Sequence, residues 1–450
     1  MTALKSKEGP SLEGLPRRSR RRVRVLFVND TARNGGPGRS LHSILKFLDP
    51  AVVHRAVVLP RSGAIGDLLA QDGAADEIHL EPNLIENPIE PWARAMQRED
   101  FDAAAPLKLL RFMGNVVRAG RAIARLSALI DRGQFDLVYC NGTNADFAGG
   151  ALAALTGCPA LWHVRYTSLP KPIFRVHRHL AASRGVRRIV CVSRAAAALF
   201  PHCAGKVSVI HNALDVGSFD PAGVRGTLRA DLELPAGAIV FGSHGRVLRR
   251  KGYIEMIHAA RMALDRMSEG ERASIFFVVI GDTPQDFRPD HVEECRRLAT
   301  RLGLADRFRM MGFRADVRPL VVEFDVAVVP SVYPDPLPRS VIESMALGKP
   351  VIAYDVGGVV EMVEDGVTGN LVRFAPSGVG SEAADAGSIE RLAQAFIRYA
   401  RDRELRARQG LAARERILRD FDARAHGRRI QDEILNVVGE AATGRGRGRG

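Results

Sequence analysis

Asp335 and Glu343 are two carboxylates separated by seven residues, in the stretch of this chain where chemistry is densest. Between them run Pro336-Leu-Pro338-Arg-Ser340-Val341, and after them come an apolar strand pattern and the paired glycines Gly357-Gly358. A carboxylate accepts two hydrogen bonds at once, which suits vicinal hydroxyls. Pro338 fits a first helical turn, where no backbone donor is lost, and the positive end of that helix favours the Glu343 carboxylate. Upstream, Gly245-Arg246-Val-Leu-Arg-Arg-Lys251-Gly252 follows another apolar run. Arg246 can grip phosphate oxygens as a fork, Lys251 adds a mobile point charge, and the glycines let backbone approach a ligand. A surface basic loop accounts for the same residues taken alone. Arg249 and Arg250 read as facing solvent.

Further candidates lie in the first half. Asn34-Gly35-Gly36-Pro37-Gly38 follows the first apolar run and opens a helical pattern, an arrangement that aims backbone amides at a ligand. Trp162-His163-Val-Arg165-Tyr166 ends another run, and His163 is either structural there or part of a site. Asp100-Phe101-Asp102 has the spacing of a metal-binding pair but sits in an irregular, proline-interrupted segment, so it reads as solvated charge and no metal is expected. Five cysteines without paired spacing argue against a disulfide framework or a zinc site and favour a cytoplasmic compartment.

These residues need elements to hold them. Short apolar runs alternate with helical patterns, the signature of parallel α/β sheets. Strands are predicted at 23–29, 52–59, 136–141, 160–164, 188–193 and 207–211, then at 238–243, 275–280, 308–311, 326–329 and 351–354. Helices are predicted between them, for example over 40–48 and 172–184. Ile275–Ile280 is apolar on both faces, as a sheet covered on both sides requires. Residues 215–238 are rich in Gly, Pro and Asp and read as a linker. Ser388 is placed to cap the closing helices. Residues 108–130 form a basic amphipathic pattern, which suits either a helix packed on the sheet or one lying on anionic lipid.

The ordering Arg246…Lys251, Asp335…Glu343 and Gly357-Gly358 resembles the nucleotide-sugar site of retaining glycosyltransferases of family 4, although the usual first glutamate is here an aspartate. That resemblance implies an α/β GT-B fold, two facing Rossmann-like domains with parallel sheets and a deep cleft between them. It implies a first domain at 23–215, a linker at 216–237, a nucleotide-sugar domain at 238–415 and a terminal helix at 416–438 returning to the first domain. Arg246 and Lys251 would meet the donor diphosphate, Asp335 the transferred sugar and Glu343 the ribose, with Ser340 and Val341 beside them. Gly35 and Gly36 would face the donor phosphates and acceptor, His163 the reacting carbon, and Phe313, within Gly312-Phe313-Arg314, the base. The implied partners are a nucleoside diphosphate sugar and a glycan or lipid-linked acceptor, with no cofactor.

The 450 residues suffice for two cored domains, and an apolar share of 46% is that of an ordinary globular chain. No apolar run reaches the roughly 18 residues a membrane-spanning helix needs, and Val23–Val28 is too short for an export signal. The formal charge of +14 is concentrated at the ends: residues 1–24 carry a net +6, Arg445, Arg447 and Arg449 add +3, and the body between carries +5. The tails at 1–22 and 439–450 suit an anionic bilayer, nucleic acid or plain solvation. No aromatic platform accompanies the Gly-Arg repeat, which argues against RNA. A member of the same fold that binds sugar or nucleotide without catalysis is the remaining alternative.

Overall fold

The computed structural model describes residues 21–32, 35–85, 105–284, 290–378, 381 and 383–446. Asn34, Asp100, Asp102 and residues 1–20 and 447–450 lie outside them, whereas 439–446, expected to be tail, continue the last helix. The first half builds one seven-stranded sheet from β1 (Val23–Asn29), β2 (Val53–Leu59), β3 (Glu77–Leu80), β4 (Leu137–Asn141), β5 (Ala160–Val164), β6 (Val186–Cys191) and β7 (Val207–Val209). Its order is β3-β2-β1-β4-β5-β6-β7, and every pair is parallel. The second half builds a six-stranded parallel sheet from β8 (Ile239–His244), β9 (Ile275–Ile280), β10 (Phe308–Met310), β11 (Val326–Val329), β12 (Val351–Tyr354) and β13 (Gly369–Val372). Its order is β10-β9-β8-β11-β12-β13. This is the two-domain, Rossmann-like α/β architecture expected.

Each sheet reverses its winding at one place, between β1 and β4 in the first and between β8 and β11 in the second. Such switch points leave a crevice at the carboxyl ends of the strands, where open α/β sheets bind ligands. The loops carrying Gly35–Gly36 and Arg246–Lys251 follow β1 and β8, which border these crevices, and Asp335 follows β11.

Both faces of the first sheet are covered. Val25 and Phe27 pack with Leu41 and Leu45 of the helix Gly36–Phe47 and with Ile430, Ile434 and Val437 of the closing helix Ala423–Gly446. Leu26 and Val28 point the other way, into a cluster with Leu126, Ile130, Leu152 and Trp162. The closing helix thus belongs to the first sheet's core although the chain reaches it from the second. The two crossings run side by side, because Leu214 N–H donates to Phe421 O at 2.9 Å and Ala423 N–H to Leu214 O at 2.9 Å.

Differences from the predicted elements have local causes. β3 and β13 were not predicted: β3 is a four-residue edge strand whose Leu80 is exposed, and β13 begins Gly-Asn, both poor strand formers. β6 stops at Cys191 because Ser193 caps the next turn, its Oγ accepting from Ala196 N at 3.1 Å. The first helix starts at Gly36 rather than Ser40, with Pro37 in the first turn and Gly35 as its cap, so the glycines form the helix start itself. Asp385, not Ser388, caps the helix Ala386–Arg401, and Ser388 Oγ instead accepts from Ala375 N at 2.8 Å.

Candidate active site

The loop leaving β8 is shaped by backbone crowding. Gly245 and Gly252 have φ of 135° and 76°, and a Cβ on Gly252 would lie 1.7 Å from Pro330 O. Only glycine fits there. The turn brings Lys251 Nζ to 2.5 Å from Asp335 Oδ2, which also accepts from Tyr333 Oη at 2.8 Å. Arg250 stacks its guanidinium 4.6 Å from the Tyr333 ring centre, with Lys251 at 5.5 Å. Arg249 makes a bidentate pair with buried Glu255, both contacts at 2.8 Å. Neither arginine is therefore idle in solvent, as the sequence suggested; they brace the loop from its two sides.

Burial alone would raise the Asp335 carboxyl, but Lys251, Tyr333 and nearby Arg246 outweigh it and hold it below the usual carboxylate range. Burial and the Asp335 charge push the Tyr333 phenol up, so it stays a donor. The paired glycines fix Asp335 from behind. Gly358 N–H donates to Asp335 O at 2.8 Å, and a Cβ on Gly358 would lie 1.9 Å from Pro336 O.

Eight residues on, Glu343 sits in the helix Arg339–Ala346, which Pro338 precedes as cap. It lies in the second turn, and side chains rather than the helix end hold its charge: His244 Nε2 donates to Oε2 at 3.0 Å and Arg339 Nε to Oε1 at 3.1 Å. Burial opposes ionisation, yet Arg339, His244 and Arg39 bring the Glu343 carboxyl down to about 2. Ser340 is half-buried at the start of this helix, whereas Val341 is fully buried in the core. The Val341 side chain thus does not reach the seam, and its N–H is taken by Pro338 O at 3.1 Å.

The first half meets these residues directly. A Cβ on Gly36 would come within 4.0 Å of Arg339 Cδ, and Arg39 Nη2 donates to Ala315 O at 3.0 Å. Thr167 Oγ1 donates to Pro334 O at 2.5 Å, next to Asp335. Gly35 caps the same helix, and Phe313 stands 61% exposed beside the Arg39 contact. The structure therefore brings Gly36, Arg246, Lys251, Asp335 and Glu343 to one interdomain seam, with Gly35, Phe313 and Ser340 at its border.

His163 is placed differently. It is fully buried, with Nδ1 engaged by the Tyr139 hydroxyl and, at 3.3 Å, by Arg165 Nη2. Burial, then Arg165 and His426, depress it far below the ordinary histidine value, so it is neutral. Alternation along β5 turns it, with Leu161, into the space under the closing helix, and Arg165, on the same side but past the strand's end, reaches Asn212 and lies near Arg339. Tyr333, His244, Arg339 and Arg165 were not singled out from sequence. Arg339 had a signal, the i, i+4 spacing to Glu343 on a helix. His244 and Tyr333 lie at strand ends, where a lone polar residue carries no signature.

Among the described residues no group of three or more His, Cys, Asp or Glu side chains is placed to hold a metal. Among them, too, no helix is long and apolar enough to cross a membrane.

Residues 224–416 match the family described as Glycosyl transferases group 1, and residues 90–218 match Glycosyltransferase Family 4. Fold and both matches define one class, and the chain belongs to the family 4 type of glycosyltransferase. It is 30% identical over 299 residues to D-inositol 3-phosphate glycosyltransferase of Streptomyces avermitilis, covering 62% of this chain and 61% of that protein. The chain thus spans less than two thirds of that relative's length. It is 31% identical over 224 residues to alpha-maltose-1-phosphate synthase of Mycobacterium tuberculosis, covering 48% of this chain and 53% of that one. Anabaena HepE solved with UDP-glucose superposes with a TM-score of 0.70 at 23% identity, over 92% of this chain and 99% of that chain. Sucrose-phosphate synthase of Thermosynechococcus elongatus gives 0.68 at 19% identity, over 93% and 100%. These solved neighbours carry the fold, GT-B.

Proposed function

We propose that the chain transfers a sugar from a nucleoside diphosphate sugar to a hydroxyl of a glycan or lipid-linked acceptor, with retention at the anomeric carbon. One observation carries this reading: Arg246, Lys251, Asp335 and Glu343 share a single seam that the glycine helix of the other domain closes. Arg246 and Lys251 offset the charge that grows on the departing diphosphate, so that no metal is required. Glu343 accepts from the ribose hydroxyls and Asp335 from hydroxyls of the sugar. Gly35, Gly36 and Ser340 offer backbone and a small hydroxyl beside the phosphates, and Phe313 an exposed ring for the base. Asp335 is tied to Lys251 and Tyr333, which suits orienting a sugar better than attacking it. The acceptor hydroxyl then attacks from the leaving group's own face, and the departing phosphate takes its proton. His163 acts at one remove, by steadying Arg165.

Domain roles follow the same reading: acceptor side at 23–215, linker at 216–237, donor side at 238–415, and a returning segment from 416 whose helix is Ala423–Gly446 rather than the expected 416–438. HepE was solved with UDP-glucose, which supports a uridine nucleotide as the first donor to try. We assign the work to the cytoplasmic side of an anionic membrane, in envelope or exopolysaccharide assembly. Its support is the helix Ala105–Gly133, where Met113, Val116 and Val117 are 53%, 50% and 51% exposed and Arg118, Arg121 and Arg125 flank them.

The test is titration of the protein and its Lys251→Ala variant with UDP and GDP, followed by proton NMR of products from UDP- and GDP-sugar panels. Binding weakened tenfold or more in the variant, and a product of unchanged anomeric configuration, are expected. Unaltered nucleotide binding by the variant, or inversion, contradicts the reading.

A further inference from the structure

We propose that Arg165 is an anion-binding residue, whose guanidinium takes a phosphate oxygen of a ligand lying in the seam beside the glycine helix. The inference rests on the reading above that the seam holds ligands, and extends it to Arg165, which the motif around His163 left without a role.

Arg165 follows β5 at the rim of the switch point. Its Nε donates to Asn141 Oδ1 at 2.7 Å, Nη1 donates to Asn212 Oδ1, and Nη2 meets His163 Nδ1 at 3.3 Å. All three partners are uncharged, and among the described residues no carboxylate pairs with it. Buried Asp146 helps to keep it charged from farther off, but that carboxylate accepts from Tyr166 and faces His177, so no direct ion pair offsets the desolvation of the guanidinium. Burial lowers its pKa only to about 10, so it keeps its charge at neutral pH.

The partners look built to aim the cation. Asn141 is fully buried, and its amide donates to Asn29 Oδ1 at 2.6 Å and to Pro37 O at 3.2 Å. Those two bonds fix which way its carbonyl faces and tie it to the glycine helix. Asn212 is also buried, and the next residue, Ala213, accepts from Arg339 Nη1 at 3.5 Å. Arg165 is thereby held between the glycine helix and the Arg339–Glu343 pair. Three of its five N–H groups are used, and a planar fork with two left over matches an anionic oxygen pair. Had the residue served only to join Asn141 to Asn212, a neutral side chain would have done so without burying charge.

Such an oxygen can come from the donor diphosphate or from a phosphate on the acceptor. Calorimetric titration of wild type, Arg165→Met and Asn212→Asp with UDP, GDP and inorganic phosphate separates them. Asn212→Asp supplies an internal carboxylate partner, and so answers the question even if Arg165→Met folds poorly. Tenfold or greater weakening of nucleoside diphosphate binding in both variants assigns Arg165 to the donor. Unchanged nucleotide binding, with loss of phosphate binding to the nucleotide-saturated protein, assigns it to the acceptor. Wild-type binding of both probes that survives in a folded variant overturns the Arg165 assignment. If wild type binds none of the three, the reading of the seam itself falls, a result distinct from failure at Arg165.

Discussion

Replacing Glu343 by Gln removes one charge and keeps the side-chain shape, leaving Arg339 and His244 without their anion. The effect can be worked from the carboxyl's environment. Its pKa of about 2 lies well below the ordinary glutamate value of about 4.3, and each pH unit of that gap is worth about 1.4 kcal/mol. By linkage, ionised Glu343 contributes about 3 kcal/mol to folding at neutral pH. The sign follows from the depressed value: the contribution is complete above the unfolded pKa and is lost as pH falls through the folded one. Thermal melts of wild type and Glu343→Gln at about pH 7 and about pH 3 read this out. For a domain of this size the variant should melt roughly 6–12 °C lower at neutral pH, and the gap should narrow in acid. Equal midpoints at neutral pH, or a gap that does not change with acid, refute the argument that the Arg339–His244 cradle stabilises an ionised carboxylate. The same variant should bind nucleoside diphosphates more weakly, because ribose hydroxyls lose their acceptor.

Other outcomes are equally specific. Gly358→Ala forces a Cβ against Pro336 O, so it should lower the melting midpoint and reduce turnover, both followed on one preparation. Ile434→Ala empties a fully buried site between the closing helix and the first sheet and should cost about 2–5 kcal/mol, read by urea unfolding. EDTA should leave transfer unaltered, and restoration of lost activity by Mg²⁺ would require another anchor for the diphosphate. Val117→Asp should weaken flotation with anionic vesicles while leaving transfer to a soluble acceptor intact; equal flotation removes that helix from the membrane contact.

Much of the fold was legible because parallel strands covered on both faces leave long apolar runs, as in β1, β8 and β9. The edges were not, since β3 and β13 are short and carry residues that strands disfavour. At the site, the glycines, cations and carboxylates that meet at the seam stand in recognisable sequence order. What sequence could not convey is where a strand ends beneath its neighbours: His163 and Arg165 share one motif and one side, yet the first is buried under the closing helix and the second, past the end of β5, reaches Asn212. Nor could it show that Glu343 is balanced by His244, 99 positions earlier, through contacts that only the sheet order creates.

The most direct test of the central claim is a crystal structure of the protein with the nucleoside diphosphate that binds it best. The account predicts diphosphate oxygens within hydrogen-bonding distance of Arg246 and Lys251, ribose hydroxyls on Glu343, and the glycine helix closing over them. A nucleotide bound elsewhere on the molecule, with Arg246, Lys251 and Glu343 untouched, would contradict it.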